Sequence, residues 1–153
     1  MRKMIVFDMD GTIANLYGVE NWLPMLRAED TTPYEIAEPM FDMDVLKSLL
    51  LTLQAIGWRI AVTSWLAMNG TSEYNEAVRI AKKAWLDRYN FPYNEIHLVK
   101  YGTTKANCTR NKADFQILVD DNETIRKGWT LGQSIDPKDL IKTLVDIIVD
   151  SFN

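Results

Sequence analysis

Apolar residues follow one another with few interruptions in several short stretches of the chain. Residues 4–8 (Met-Ile-Val-Phe-Asp) form such a run and end in a polar loop, as do residues 58–63 and 115–119. This pattern is typical of strands in a parallel sheet that is covered on both faces. Residues 95–100 form a fourth, shorter candidate. The pattern therefore predicts four parallel strands.

Between these runs, apolar residues recur at helical spacing. One predicted helix covers residues 44–56, with Asp44 as its N-cap and Gly57 just past its end. A second covers about 72–89, and a third is predicted to open at Asp136-Pro137 and to run to about residue 152. The residues of the second helix predicted to face the sheet are Ala77, Ile80, Ala81, Ala84 and Trp85, with Tyr89 as a further candidate.

Strands and helices that alternate in this order predict an α/β fold with a three-layer, Rossmann-like parallel sheet and helices on both faces. The length of 153 residues suits a single domain spanning 1–153. Only about 30 residues separate the first strand's loop from the helix at 44–56. We therefore expect a small helical flap at about 15–43 and no large inserted domain.

Polar side chains that could take part in catalysis or bind a ligand lie where three of the predicted strands end. Ligands bind at the carboxyl ends of strands in such sheets, so these groups are expected to converge on one crevice. They are Asp8 and Asp10, Thr63 and Ser64, and Asp120 and Asp121. A cluster of four carboxylates requires a cation or raised pKa values, and an oxygen-only ligand set favours Mg²⁺.

Mg²⁺ beside two strand-end aspartates favours phosphoryl-transfer chemistry. Asp8 could attack phosphorus, and Asp10 could protonate the leaving oxygen and later deprotonate water. Gly11 allows a tight turn and close approach of main-chain N–H groups to a ligand. The Thr63 hydroxyl and a lysine would hold the phosphoryl oxygens.

These residues resemble the motifs of the haloacid dehalogenase superfamily of phosphohydrolases. Asp8-Met9-Asp10-Gly11-Thr12, Thr63-Ser64 and Asp120-Asp121 are similar to its first, second and fourth motifs, each after an apolar strand. The strings Phe7-Asp8-Met9-Asp10-Gly11-Thr12-Ile13-Ala14 and Val62-Thr63-Ser64 are similar to its 5′(3′)-deoxyribonucleotidase branch.

The resemblance implies a role for each matching residue. Asp8 would be the nucleophile and a metal ligand, and Asp10 the acid/base, with its main-chain carbonyl on the metal. Asp120 or Asp121 would complete the Mg²⁺ site. Phosphate binding would fall to Gly11, Thr12, Thr63, Ser64 and the third-motif lysine.

The sequence does not single out that lysine. Lys105, in a Gly-Thr-Thr-Lys turn that could open a helix at the phosphate, is the first choice, and Lys100 and Lys112 are the alternatives. All three lie in residues 99–113, which contain basic but no acidic residues. An anionic group is therefore expected at this segment.

Charge and composition limit the classes of partner that we expect this protein to bind. The net charge is −4, and the flap region at 15–44 contains seven acids and one base, Arg27, which makes nucleic acid an unlikely partner. The single cysteine excludes an internal disulfide, and no apolar stretch suits a signal peptide or a membrane span. Together these features favour a cytoplasmic protein that does not bind membranes. A small cap leaves the site open or completed by another subunit, so a homo-oligomer is one option.

The sequence thus predicts a Mg²⁺-dependent phosphomonoesterase. Its substrate would be a small phosphorylated metabolite such as a (deoxy)nucleoside monophosphate, hydrolysed through an aspartyl phosphate on Asp8. One alternative is a phosphatase acting on the 3′ or 5′ end of a nucleic acid. The other is a phosphate-binding regulatory module without turnover.

Overall fold

The computed structural model describes all of residues 1–153. Five parallel strands form one sheet: β1 (Lys3–Phe7), β4 (Trp58–Trp65), β5 (Glu95–Val99), β6 (Phe115–Val119) and β7 (Gly132–Ile135). Their order across the sheet is β5-β4-β1-β6-β7, with β1 in the middle. The predicted fold class is confirmed, although β7 was not predicted.

The helices are α1 (Trp22–Arg27), α2 (Thr32–Ile36), α3 (Met43–Ala55), α4 (Ser72–Arg88), α5 (Ala106–Thr109), α6 (Glu123–Lys127) and α7 (Leu140–Asp150). The 3₁₀ turns are Leu16–Gly18 and Pro137–Asp139. No helix has the combination of length and apolarity needed to cross a membrane.

The sheet is buried on both faces because side chains of successive strand residues point in opposite directions. Ile5, Phe7 and Val62 belong to the larger core, which also contains residues of α3, α4 and α7. Met4 and Val6 point the other way, into a smaller core beside α6. The uninterrupted apolar run of β1 is thus explained by a helix layer on each side.

Residues 14–42, between β1 and α3, form a compact flap. It consists of a two-residue pairing of β2 (Ala14–Asn15) with β3 (Glu38–Pro39), the first 3₁₀ turn, α1 and α2. Hydrogen bonds attach it along α4: Glu29 accepts from the N–H of Thr71 at 2.9 Å, and Trp85 Nε1 donates to the Ala37 carbonyl at 2.8 Å. These hydrogen bonds hold the flap against α4.

Two predicted boundaries are wrong. Asp42 and not Asp44 caps α3, because its carboxylate accepts from the N–H groups of Asp44 and Val45 at 3.0 and 3.1 Å. Thr63 and Ser64 lie inside β4 rather than at its end, since pairing with β5 continues to Trp65.

The predicted buried face of α4 is also partly wrong. Ala77, Ile80 and Ala84 are exposed, and Ile80 has 64% of its surface accessible. The helix packs against both the sheet and the flap, so its buried stripe is rotated. The buried residues are Tyr74, Val78, Ala81, Lys82, Trp85 and Leu86.

The final helix opens differently from the prediction. Asp136 does cap a turn, accepting from the N–H of Lys138 at 2.9 Å, but that turn is 3₁₀. The α-helix begins at Leu140 and ends at Asp150, two residues short of the predicted end.

Candidate active site

The loop after β1 is a tight turn organised around one carbonyl group. The carbonyl oxygen of Met9 accepts hydrogen bonds from the N–H groups of residues 12–14 at 2.9–3.1 Å. Gly11 adopts φ = +79°, which L side chains rarely tolerate. A Cβ on Gly11 would lie 2.5 Å from Asp121 Oδ2. Glycine is therefore required for the turn and for the close approach of Asp121.

Asp8 follows β1 directly and is almost enclosed. Its Oδ1 accepts a hydrogen bond from Lys105 Nζ at 2.8 Å, and its Oδ2 accepts one from Thr12 Oγ1 at 3.0 Å. The same ammonium group donates to Asp120 Oδ2 at 2.8 Å. Lys105 thus links the ends of β1 and β6 through two carboxylates.

Lys105 is the lysine that the fold brings to Asp8, whereas the two alternatives stay outside. Lys105 is buried and lines the same cavity as Asp8, while Lys100 and Lys112 are exposed and line none of it. Burial alone would lower the pKa of Lys105, but the carboxylates of Asp8 and Asp120 raise it above its usual value. The group therefore remains a cation at neutral pH.

Three carboxylates are close enough to share a metal ion. One oxygen from each of Asp8, Asp120 and Asp121 lies within 4.8 Å of the others. Burial and the neighbouring Asp8 charge raise the pKa of Asp120 and raise that of Asp121 to about 7. Carboxylates destabilised in this way, with only oxygen donors present, fit a hard divalent cation such as Mg²⁺.

The charge balance of the site supports the same fit. Asp8, Asp10, Asp120 and Asp121 supply four carboxylates, and two ammonium groups contact them, from Lys82 and Lys105. With all four carboxylates ionised, two negative charges remain. One divalent cation would balance them.

Thr63 and Ser64 project from opposite faces of β4. Thr63 follows Val62, which pairs with Phe7, so it lies beside Asp8 and on the same face of the sheet. Its side chain is 0% exposed, and its Oγ1 has no hydrogen-bond partner. Ser64 lines the cavity, and its Oγ accepts a hydrogen bond from Lys82. Thr63 is thus buried beside Asp8 without lining the cavity, whereas Ser64 does line it.

Gly11 and Thr12, predicted to bind phosphate, have donors that the loop already uses. The Gly11 N–H donates to the Ala14 carbonyl at 2.8 Å. Thr12 Oγ1 lies between Asp8 Oδ2 and Asp121 Oδ1, at 3.0 and 3.3 Å. Both residues shape the acidic cluster, and their contact with phosphate stays a prediction.

Asp10 lines the cavity but does not join the three-carboxylate group. Its Oδ2 accepts a hydrogen bond from Lys82 Nζ at 2.8 Å. Burial raises the pKa of Asp10, and the Lys82 ammonium partly offsets that shift. Lys82 was not predicted as a site residue, because a lysine on an amphipathic helix is normally solvent-exposed. The only available sign was its spacing, four residues after Val78 and three before Trp85, on the buried side of α4.

The cavity beside these residues has a volume of about 680 Å³ and extends under the flap. Two aromatic pairs line it. Tyr17 and Trp22 come from the flap, with ring centroids 4.9 Å apart. Trp65 is the last residue of β4 and Tyr101 lies in the turn after β5, and their ring centroids are also 4.9 Å apart. The cavity therefore combines an ionic end with aromatic walls.

Comparison with known proteins indicates the fold. The chain resembles the crystal structure of D,D-heptose 1,7-bisphosphate phosphatase from Burkholderia thailandensis, with a TM-score of 0.53 and 18% sequence identity. The match covers 86% of this chain and 75% of the other. No protein-family model matches the sequence. No curated protein matches it either. The structural likeness shows a haloacid dehalogenase-like fold.

Proposed function

We propose that this protein is a Mg²⁺-dependent phosphomonoesterase in which Asp8 is the nucleophile. The observation that supports this most strongly is the contact of Lys105 with both Asp8 and Asp120, 2.8 Å from each, beside Asp121. A carboxylate that meets a lysine and further carboxylates at the carboxyl end of a central strand is equipped to receive a phosphoryl group. The fold, shared with a phosphatase, adds to this support.

Mg²⁺ bound to Asp8, Asp120 and Asp121, and to the Asp10 main-chain carbonyl, would neutralise charge on the phosphoryl group. An oxygen of Asp8 attacks phosphorus. The bond from phosphorus to the ester oxygen breaks, and that oxygen takes its electron pair and a proton from the Asp10 carboxyl group. The products of this step are an alcohol and an aspartyl phosphate on Asp8.

Water then attacks the phosphorus atom and gives its proton to the Asp10 carboxylate. The bond between Asp8 and phosphorus breaks, which restores the Asp8 carboxylate and releases inorganic phosphate. Lys105 and the Thr63 hydroxyl hold the phosphoryl oxygens in both steps. The buried Thr63 Oγ1 supports this role, since it has no protein partner and a phosphoryl oxygen would provide one.

The basic test is phosphate release from p-nitrophenyl phosphate with Mg²⁺ and with EDTA. We expect turnover with Mg²⁺, none with EDTA, and a loss of at least about 10³-fold in Asp8→Asn, because the amide cannot form the acyl phosphate. Asp44→Asn, an exposed carboxylate in the first turn of α3, is the matched control and should keep full activity. Undiminished turnover in Asp8→Asn would falsify the assignment.

For the substrate, we propose a phosphate monoester with a flat ring, such as a (deoxy)nucleoside monophosphate. The aromatic pairs of the cavity support this, since stacking of a base on an aromatic side chain contributes about 1–3 kcal/mol. Tyr17 and Tyr101 are both about half exposed and so are available to a ligand.

A panel of nucleoside monophosphates, sugar phosphates, a sugar bisphosphate and glycerol phosphate tests the substrate class. We expect the nucleotides to give the highest kcat/KM. Tyr17→Ala and Tyr101→Ala should raise KM for nucleotides by roughly 5- to 100-fold and leave glycerol phosphate unchanged. A preference for the sugar bisphosphate, or equal effects on all esters, would contradict the ring-stacking proposal while leaving the phosphatase proposal intact.

A further inference from the structure

Lys82 is a lysine without solvent contact, in the middle of α4 between the sheet and the flap. Its side chain is 0% exposed, and its ammonium lies 5.1 Å from the centre of the Tyr34 ring in the flap. Lysine is almost never fully buried unless its charge is paired. Its position therefore requires an explanation.

All three N–H bonds of the Lys82 ammonium have an acceptor. Nζ lies 2.8 Å from Asp10 Oδ2, 2.8 Å from Ser64 Oγ and 2.7 Å from the carbonyl oxygen of Trp65. An ammonium group has three donors and no acceptor, so these contacts fix its orientation completely. Lys82 thus ties the loop after β1 to the end of β4.

These bonds leave the two side chains free on the side of the cavity. Asp10 Oδ2 is occupied, whereas Asp10 Oδ1 accepts no hydrogen bond from the protein. Ser64 Oγ accepts from Lys82, so its own O–H can donate elsewhere, and both residues line the cavity. Lys82 therefore leaves one carboxyl oxygen of Asp10 and the hydroxyl group of Ser64 available to a ligand in the cavity.

We infer that Lys82 is a positioning residue that holds Asp10 at the leaving-group oxygen and the Ser64 hydroxyl at the phosphoryl group. This inference rests on the proposed phosphatase function. The Asp10 carboxylate contacts Lys82 and is not part of the cluster of Asp8, Asp120 and Asp121.

A purely structural role explains Lys82 poorly. Replacing a buried ion pair by apolar side chains of similar volume is often neutral or stabilising, because burying charge is expensive. Filling the space between α4 and the flap would therefore not need an ammonium group. The three residues that accept hydrogen bonds from Lys82 all line the cavity. The orientation of their polar groups would therefore affect how a substrate binds and reacts.

The test compares Lys82→Met on two leaving groups, with Lys83→Met as the matched control. A poor leaving group such as the alkoxide of glycerol phosphate needs a proton from Asp10, whereas p-nitrophenolate does not. We expect Lys82→Met to lower kcat about 100-fold for glycerol phosphate and less than about 10-fold for p-nitrophenyl phosphate, with KM within about 3-fold. Lys83, exposed and paired with Asp87 at 2.7 Å, should tolerate methionine without any change.

A double-mutant cycle shows whether Lys82 acts through Asp10. If it does, Lys82→Met should have little further effect on the glycerol phosphate rate in an Asp10→Asn background, because the group that it positions is already lost. The same factor in both backgrounds would overturn the inference. So would an equal loss on both leaving groups in the single variant.

Folding and the proposed function are controlled separately. If Lys82→Met is unfolded by circular dichroism, Lys82→Gln takes its place, since its amide keeps hydrogen-bond donors but lacks the charge, and the same selective loss is expected. If the wild-type protein releases no phosphate from any ester, the proposed function fails and this inference fails with it. If the wild-type protein turns over but Lys82→Met lowers kcat equally for both leaving groups, only the proposed role of Lys82 is refuted.

Discussion

Removal of the Lys105 ammonium should reveal how strongly the fold depends on it. In Lys105→Met, the carboxylates of Asp8 and Asp120 lose their shared hydrogen-bond donor while they stay buried. The side chain keeps a similar length and volume, so the change is mainly one of charge. Mutual repulsion of the two carboxylates then opposes folding.

The expected size follows from burial. Removing one partner of a buried ion pair destabilises a protein by about 3–5 kcal/mol, since the remaining charge is left uncompensated. For a protein of this length, each kcal/mol lowers the melting temperature by roughly 2–4 °C. Because the pKa of Lys105 is raised, its contribution is complete below the unfolded-state pKa of about 10.4 and disappears only as the pH rises through the folded-state value.

Urea unfolding followed by tryptophan fluorescence is the assay, since the Trp65 ring lies 5.4 Å from Lys105 Nζ. In EDTA at neutral pH we expect the full loss of about 3–5 kcal/mol, and at saturating Mg²⁺ a smaller one, because the bound cation replaces part of the missing charge. We also expect kcat to fall by about 10²–10³-fold, as for the loss of one donor to a transition-state anion.

Lys112→Met is the matched control, because Lys112 is exposed and lies outside the cavity. It should change neither stability nor kcat. Equal stability of Lys105→Met and wild type in EDTA would refute the electrostatic reasoning. A kcat loss in Lys112→Met or Lys100→Met instead would refute the choice of lysine.

Three further outcomes are expected. Since the pKa of Asp121 is raised to about 7, its carboxyl group binds a proton below that pH, so Mg²⁺ affinity measured by calorimetry should rise between pH 6 and pH 8, and a flat profile would contradict the metal assignment. Asp42→Ala should lower the free energy of unfolding by about 1 kcal/mol, and Asp44→Ala by a few tenths at most, since only Asp42 caps α3; the reverse order would restore the sequence-based cap. Gly11→Ala should destabilise the protein by about 1–3 kcal/mol and weaken Mg²⁺ binding, because its φ is positive and the new Cβ would collide with Asp121; unchanged melting and affinity would show that the loop adapts.

Sequence pattern was most informative where burial is uniform. The strands β1 and β6 are interior strands of the sheet, covered on both faces, so four of the five positions in each are apolar and the run is easy to recognise. The edge strand β7 has the sequence Gly-Gln-Ser-Ile and only its last residue is buried, so no apolar run marks it. Prediction failed there because the strand is defined by pairing with β6 and not by its own side chains.

Helix faces were harder to predict than helix positions. The predicted face of α4 assumed a single partner, the sheet, whereas the flap provides a second. Tyr74 and Val78 pack with flap residues, which turns Ile80 toward solvent. Hydrophobic periodicity indicates that a helix is partly buried, but it does not indicate which elements of the fold cover it.

The sequence by itself determined the order of four of the five sheet strands and of helices α3, α4 and α7, together with the carboxylates after β1 and β6, because backbone pattern and turn chemistry are local. It offered Lys105 as the first choice of lysine, with Lys100 and Lys112 as alternatives, and it did not point to Lys82. Only the tertiary structure decided that Lys105 meets Asp8 and that Lys82 meets Asp10, across separations of 97 and 72 residues. The reason is physical: a lysine side chain is long and solvated by default, so its partner is chosen by the folded surroundings and not by its neighbours in the chain.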